Sequence, residues 1–168
     1  MTADELRTLQ APLKLKYREH PESAIVTLRT SGTLDEKIKC RVETAHGTIK
    51  AGLHPATGGS GNDICSGDML LEALVACAGV TLNAVATAIG VELKSGVITA
   101  EGEIDFRGTL GVAKDAPVGF KEIRLHFNLT TDAPADKVDS LLKLTERYCV
   151  VYQTLYKGVR ILITHELR

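Results

Sequence analysis

The four cysteines of this 168-residue sequence are the side chains best suited to chemistry. Cys40, Cys65, Cys77 and Cys149 include no Cys-x-x-Cys pair, and no histidine lies at zinc-finger spacing from them, so a metal site is disfavoured. Four cysteines are also too few to staple a chain of this length, which can bury most of its apolar surface without disulfides. The thiols are therefore either inert core residues or redox groups.

Two of these cysteines lie on predicted apolar helix faces. Cys77 shares a face with Leu74 and Thr81, and Cys149 continues a stripe that includes Leu141. Packed helices lie about 8–10 Å apart, whereas a disulfide needs Cα atoms about 4.4–6.8 Å apart, so pairing is feasible only at the closest approach. The sequence permits this pairing without requiring it, because a helical cysteine is most often a small buried hydrophobe.

The first half of the chain supplies the element that carries Cys77. Short alternating bursts predict a β meander over residues 12–53, and a glycine-rich loop over 54–67 leads into a helix over 68–89 that ends at Gly90. This helix is apolar on nearly every side, as in a membrane span or the centre of a protein. Asn83 in mid-helix and the short apolar runs favour a buried central helix wrapped by sheet.

The second half supplies the element that carries Cys149. We predict strands over 97–106 and 120–130, the latter alternating between an apolar and a polar face, and a helix that begins at Pro134 and continues through Tyr152. A last strand is predicted over 159–166. This order of elements is typical of an α+β fold in one domain, residues 1–168.

Composition and charge limit the partners and the compartment. With 20 basic and 21 acidic residues the net charge is −1, so nucleic acid and anionic membranes are disfavoured as partners. Asp4, Glu5 and Arg7 stand where a secretion signal needs a continuous apolar stretch, so we expect a cytoplasmic protein.

Two segments, in this order, resemble motifs of one protein family. Residues 66–78, SGDMLLEALVACA, follow a glycine-rich loop that begins His54-Pro55, and residues 148–155 read YCVVYQTL. Together they resemble the central-helix and second-cysteine motifs of the family of osmotically inducible protein C and organic hydroperoxide resistance protein (OsmC/Ohr). The resemblance extends from about residue 38 to the C-terminus and implies antiparallel sheets around a long central helix, in an intertwined homodimer with a shared active site.

The resemblance also implies a thiol-dependent peroxidase. The Cys77 thiolate would attack an organic hydroperoxide, and Cys149 would condense with the resulting sulfenic acid to form a disulfide that an external dithiol reduces. This chemistry requires no metal, haem or flavin. The apolar surroundings would favour organic hydroperoxides over hydrogen peroxide, since each buried CH₂ contributes about 0.8 kcal/mol. The alternative is a redox-sensing or binding dimer that keeps the cysteines and lacks a correctly placed arginine.

The family's activating groups match this sequence less closely. The usual glutamate near the helix start is Asp68 here, with Glu72 one turn later, and Val150 replaces the usual proline after the second cysteine. The arginine that polarises the peroxide and stabilises the thiolate comes from the N-terminal strands or the approach loop in the family. The sequence offers Arg18, Arg29 and Arg41, of which we favour Arg29.

Two further residues are weaker candidates. His54 in the approach loop could polarise a peroxide in place of arginine, although a surface histidine is the simpler interpretation. Cys65, twelve residues before Cys77, could be a third redox thiol, whereas Cys40 is expected in the core.

Overall fold

The N-terminal segment of the computed structural model, which describes residues 1–167, is a helix, α1 (Ala3–Glu19). A capping box begins it: the Thr2 hydroxyl accepts from the Glu5 N–H at 3.2 Å, and the Glu5 carboxylate accepts from the Thr2 N–H at 2.7 Å. The prediction of β structure from residue 12 is therefore wrong as far as Glu19, because this cap and the helix-forming residues after it outweigh the short alternating pattern.

The predicted meander forms over the later part of that segment. Its strands are β1 (Gly32–Asp35), β2 (Lys39–Thr44) and β3 (Gly47–Gly52), joined as antiparallel neighbours, with the short β4 (Ile64–Cys65) parallel to β3. The apolar burst at residues 24–28 was expected to be a strand but lies outside the sheet, and Leu28 is 90% exposed. No strand among the described residues pairs with it, so its alternating pattern alone does not fix its structure.

The predicted central helix is α2 (Ser66–Ile89), and Gly90 ends it in the left-handed conformation at φ 71°. One face packs against β5, α4 and α5 and is buried, whereas Val80 on another face is 72% exposed, so this single chain does not wrap the helix completely. By length and composition alone, α2 is the one helix within residues 1–167 that could cross a membrane; the mean hydropathy of its most apolar window is 1.8.

A second, antiparallel sheet covers part of α2. It consists of β5 (Ser95–Ile104) and β6 (Phe120–Thr130), and a short helix, α3 (Phe106–Thr109), lies in the connection. The prediction for β6 is confirmed, with Ile123, Leu125, Phe127 and Leu129 on the half-buried face. β5 ends two residues earlier than predicted because Asp105 caps α3 with its side chain.

The predicted second helix is divided into α4 (Ala135–Tyr148) and α5 (Val150–Lys157). The break is at Cys149, whose backbone is extended (φ −72°, ψ 110°) and therefore cannot continue a helix. α4 contributes Leu141 to the core, where it meets Leu82, Val85 and Ala86 of α2. Thus α2, α4 and α5 converge beside the two cysteines.

The predicted strand over residues 159–166 is absent from the described chain. This segment has no strand assignment, and Ile161 and Ile163 are 80% and 92% exposed. The local sequence alternates as a strand should, but no other strand of this chain pairs with it, and an isolated strand is not stable.

Candidate functional site

Cys77 lies on the face of α2 that meets α5. It is partly buried, which raises the pKa of its thiol, and nearby polar groups lower that pKa. These groups are the backbone N–H of Val151, the Cys149 thiol, the backbone N–H of Val150 and the Thr81 hydroxyl. The helical spacing of Thr81, four residues after Cys77, places that hydroxyl on the same face as the thiol.

Cys149 occupies the junction between α4 and α5. It is 1% exposed, its N–H donates to the Thr145 carbonyl at 2.9 Å, and its sulfur accepts from the Tyr152 N–H at 3.5 Å. Because the helix breaks at this residue, the Cys149 side chain caps α5 and contacts Cys77 at the same time. The structure places the two thiols beside each other, which the sequence permitted without requiring, and both cysteines are unlinked.

The two thiols differ in acidity. Burial alone would raise the pKa of Cys77, but the hydrogen bonds from Val151, Cys149, Val150 and Thr81 lower it below its ordinary value. The pKa of Cys149 is raised, chiefly by burial and also by the neighbouring Cys77, against the lowering effect of the Tyr152 N–H. Cys77 is consequently the thiol that ionises first, and the thiolate is the nucleophilic form.

The predicted carboxylates lie on the first turns of α2, away from the thiol. Asp68 and Glu72 are exposed, and both line an open cleft of about 430 Å³ that also includes Val75 and Ala100. At about 1.5 Å per residue, Asp68 lies roughly 13 Å and Glu72 roughly 7 Å from Cys77 along the helix axis. The two carboxylates therefore lie in the same cleft and not beside the Cys77 thiol.

The candidate arginines are also separate from the thiols. Arg29 is exposed in the extended stretch before β1, Arg18 is exposed on α1, and Arg41 pairs with Asp35 at 3.0 Å. None of the three is among the groups that most strongly shift the pKa of Cys77. The most influential donors to its sulfur are instead backbone and neutral side-chain groups, with no cation among them.

His54, Cys65 and Cys40 are the remaining residues that the sequence singled out. The His54 ring accepts the Ala56 N–H at Nδ1 (3.0 Å) and stacks on Phe106 with ring centroids 4.8 Å apart. His54 and Cys65 line a cavity of about 540 Å³ at the start of α2. Cys40 lies on β2, in the meander sheet.

A largely apolar groove, lined by neighbours of the two cysteines but not by the cysteines themselves, was not foreseen from the sequence. It has a volume of about 260 Å³ between α2, β6 and α5, and it includes Leu74, one turn before Cys77, and Tyr152, whose N–H binds Cys149. Its other apolar and aromatic lining residues are Phe120, Ile123, Leu125, Leu155 and Tyr156. The alternating sequence of β6 predicts an apolar face on that strand. The groove itself exists only because α5 packs beside that face.

The backbone donors of Val150 and Val151 were also missed. The available signal was the replacement of proline by valine after the second cysteine, since valine supplies an N–H that proline lacks. From sequence, that change indicated only a different helix break.

Residues 59–164 match the family model described as OsmC-like protein. No curated protein sequence matches the chain significantly.

Several solved structures have a similar fold. An OsmC-like protein from Mycoplasma pneumoniae gives a TM-score of 0.66 at 19% identity, over 80% of this chain and 89% of that one. An organic hydroperoxide resistance protein from Elizabethkingia anophelis gives 0.63 at 17% identity, over 80% and 91% of the two chains. An OsmC-like protein of unknown function from Vibrio cholerae gives 0.62 at 11%, over 77% and 94%.

Proposed function

The chain belongs to the family of OsmC-like proteins, and on this premise we propose that it is a thiol-dependent peroxidase that reduces organic hydroperoxides. One observation carries the proposal: Cys77 and Cys149 are neighbours that influence each other's pKa, with the pKa of the first lowered and that of the second raised. This is the arrangement that an attacking thiolate and a resolving thiol need. Some structural relatives are named organic hydroperoxide resistance proteins, which supports the same chemistry.

In the first step the Cys77 thiolate attacks the terminal oxygen of the hydroperoxide, ROOH. An S–O bond forms as the O–O bond breaks, and the leaving alkoxide takes up a proton to become the alcohol. The sulfur is oxidised to a sulfenic acid and the peroxide is reduced. The polar groups of Val151, Val150 and Thr81 lower the pKa of Cys77 and so increase the fraction of thiolate available for the attack.

In the second step Cys149 resolves the sulfenic acid. Its sulfur attacks the Cys77 sulfur, the S–S bond forms, and the sulfenic hydroxyl leaves as water with the proton of the Cys149 thiol. An external dithiol then reduces the disulfide and is itself oxidised to a disulfide. Electrons pass from the external dithiol to the protein cysteines and from Cys77 to the peroxide, so the cycle requires no metal, haem or flavin.

The apolar groove beside the thiols supports an alkyl or aryl hydroperoxide as substrate. Its lining includes Leu74, one helical turn before Cys77, and Tyr152, whose N–H binds the Cys149 sulfur, although neither cysteine lines the groove itself. Each CH₂ that such a chain buries contributes about 0.8 kcal/mol, a gain that hydrogen peroxide cannot make.

The working form that we propose is a homodimer. The described chain exposes 12,963 Å² to solvent, whereas a folded monomer of 18.1 kDa is expected to expose about 8,100 Å². The excess, roughly 4,900 Å², is more than one partner contributes to an ordinary interface, which buries about 800 Å² per side. A second copy of the chain would cover the apolar surfaces left open on α2 and on the C-terminal segment.

The same dimer would complete the site. We assign Arg29 the role of polarising the peroxide, with Asp68 or Glu72 holding its guanidinium. Since Arg29 lies in an exposed segment of its own chain, it would reach Cys77 from the second copy. The proposed setting is the cytoplasm, where dithiol reductants are available, with neither nucleic acid nor membrane as a partner.

The test measures consumption of cumene hydroperoxide in the presence of a dithiol. We expect Cys77→Ser to abolish turnover and Cys40→Ser, a matched change on β2, to retain it. Cys149→Ser should form a sulfenic acid with the first equivalent of peroxide and become inactive as a second equivalent oxidises it to the sulfinic acid. Peptide mass spectrometry should find a Cys77–Cys149 disulfide after one equivalent of peroxide. Unchanged turnover in Cys77→Ser would exclude the proposed enzyme.

The second candidate function is a redox-sensing or binding dimer. It is favoured by one observation: no arginine is among the strongest influences on Cys77 in the described chain. The rate separates the two functions, because a sensor of this kind would react with cumene hydroperoxide no faster than free cysteine does, whereas the peroxidase would react much faster.

A further inference from the structure

The joint between α4 and α5 is closed by a side chain. In an uninterrupted helix the Glu146 carbonyl would accept a hydrogen bond from the N–H of Val150, four residues later. The extended backbone at Cys149 interrupts this ladder. The Glu146 carbonyl accepts instead from the side-chain amide of Gln153, with Nε2 and the carbonyl oxygen 2.8 Å apart. The bond that the helix break removes is therefore replaced by one from Gln153.

Gln153 is bonded to both sides of the joint. Its side chain holds the last turn of α4 through Glu146, and its backbone N–H donates to the Cys149 carbonyl at 2.9 Å. A carbonyl oxygen can only accept a hydrogen bond, so the amide nitrogen of Gln153 must be the atom that faces Glu146. This one residue thus ties the start of α5 to the end of α4.

The position of α5 depends on such bonds because its packing is limited. It has eight residues, none of them buried, and an isolated helix shorter than about 12 residues is marginal in water. Cys149 lies at its start, where its N–H donates to the Thr145 carbonyl at 2.9 Å and its sulfur accepts from the Tyr152 N–H at 3.5 Å. The direction in which α5 leaves the joint therefore sets where the Cys149 sulfur lies relative to α2, against which both helices pack.

We propose that Gln153 is a positioning residue for the resolving thiol, and that its bond to Glu146 keeps the Cys149 sulfur beside Cys77. This inference rests on the proposed function and deepens it, since resolution requires the two sulfurs to meet. The hydrogen bonds of Gln153 go to carbonyl oxygens and not to a sulfur, so it acts through the backbone of the joint. Without its bond to Glu146, the start of α5 is free to take other directions in the reduced protein, and the effective concentration of one thiol at the other falls.

Two substitutions separate the hydrogen bond from the bulk of the side chain. Gln153→Met has a side chain of similar length and no donor, whereas Gln153→Lys keeps a donor that can reach the last carbonyls of a helix. Thr154→Val is the matched control. It removes a side-chain hydrogen bond of the same length, 2.8 Å to the Val150 carbonyl, which lies within α5 and does not cross the joint.

The first measurement is the equilibrium between the Cys77–Cys149 dithiol and its disulfide in anaerobic glutathione buffers. All proteins carry Cys40→Ser and Cys65→Ser, so that one pair of thiols remains. The protein dithiol is oxidised to the disulfide as one glutathione disulfide is reduced to two glutathione thiols. We expect Gln153→Met to lower the equilibrium constant for disulfide formation about fivefold, because one hydrogen bond is lost. The variant that keeps a donor and the control should both stay within about twofold of the parent protein.

The equilibrium constant separates positioning from a purely structural role. A residue that only stabilises the fold would lower the melting temperatures of the reduced and oxidised proteins equally and leave the constant unchanged. Equal constants for Gln153→Met and the parent protein would therefore overturn the positioning role, and so would an equal fall in Thr154→Val.

The second measurement needs no variant. In the reduced protein labelled with ¹³C and ¹⁵N, the side-chain amide protons of Gln153 should show nuclear Overhauser effects to Glu146 and Arg147. Their absence would overturn the proposal even if Gln153→Met fails to fold. Neither measurement uses peroxide, so a protein that fails the turnover test can still pass both, and the two failures are distinguishable.

Discussion

At the scale of single residues, the chemistry of Cys77 depends on hydrogen bonds more than on a charged neighbour. Burial opposes its ionisation, and the donors around the sulfur reverse that effect, so that its pKa falls below the ordinary value. The pKa of Cys149 is raised instead, because this residue is almost fully buried and lies next to another sulfur. Two thiols in contact thereby acquire different roles.

Thr81 provides a test of this residue-scale explanation. Thr81→Val keeps the side-chain shape but removes the hydroxyl that donates to Cys77, so we expect alkylation of Cys77 at pH 6 to slow about fivefold. The matched control is Thr87→Val in the same helix, since the Thr87 hydroxyl bonds the Asn83 carbonyl at 2.8 Å and is remote from the thiol. Equal slowing in both variants would indicate a general effect on α2.

At the scale of elements, the site depends on where helices begin and end. The break at Cys149 places this residue between the end of α4 and the start of α5, where its sulfur lies beside Cys77 of α2. The other end of the site depends on the loop before α2, where Gly59 donates its N–H to the His54 carbonyl at 3.1 Å. This loop leads, through β4, into the start of α2.

The close fit of that loop yields a stability prediction. A Cβ at position 59 would lie 1.7 Å from the Leu53 carbonyl oxygen, a backbone atom that cannot move away easily, whereas a Cβ at Gly119 meets nothing within 4 Å. We expect Gly59→Ala to lower the free energy of unfolding by about 2 kcal/mol or more. The corresponding fall in melting temperature is about 5 °C or more.

Gly119→Ala is the control, and its melting temperature should stay close to that of the parent protein. Thermal unfolding followed by circular dichroism measures both variants. Equal melting temperatures for the two variants would contradict the close packing of the loop.

At the scale of the whole molecule, the described chain leaves several apolar surfaces without a protein partner. They are the outer face of α2, the stretch around Ile25 and Leu28, and the C-terminal segment around Ile163. A segment whose apolar residues alternate and whose backbone N–H and C=O groups form no sheet hydrogen bonds can pair with the edge of another sheet. A second copy that provided such an edge, as in the homodimer that we propose, would explain why these surfaces are apolar.

We therefore expect sedimentation equilibrium to give a mass about twice 18.1 kDa at micromolar concentration. Ile163→Asp should shift the population toward monomer, because it places a charge in the segment that the partner would cover. Val112→Asp makes a similar change at an exposed valine in the loop before β6 and should remain dimeric. An 18 kDa species in the parent protein at tens of micromolar would contradict the homodimer.

The sequence by itself determined the local features and the family. Hydrophobic periodicity and end signals predicted α2 to within two residues and β6 without error, because these elements are long and strongly patterned. The two cysteine motifs, together and in order, predicted a family that the match over residues 59–164 confirms. The places of Cys77 and Cys149 on two apolar helix faces permitted their contact without requiring it.

Only the tertiary structure decided what depends on residues distant in sequence. Alternation at residues 24–28 and 159–166 did not produce strands, because a strand needs an edge to pair with and no edge in the described chain pairs with either segment. The acidity of Cys77 was equally hidden, since three of the four groups that lower its pKa, those of Cys149, Val150 and Val151, lie more than seventy residues away. Backbone N–H groups have the same chemistry at nearly every residue, so only packing shows which of them face a sulfur.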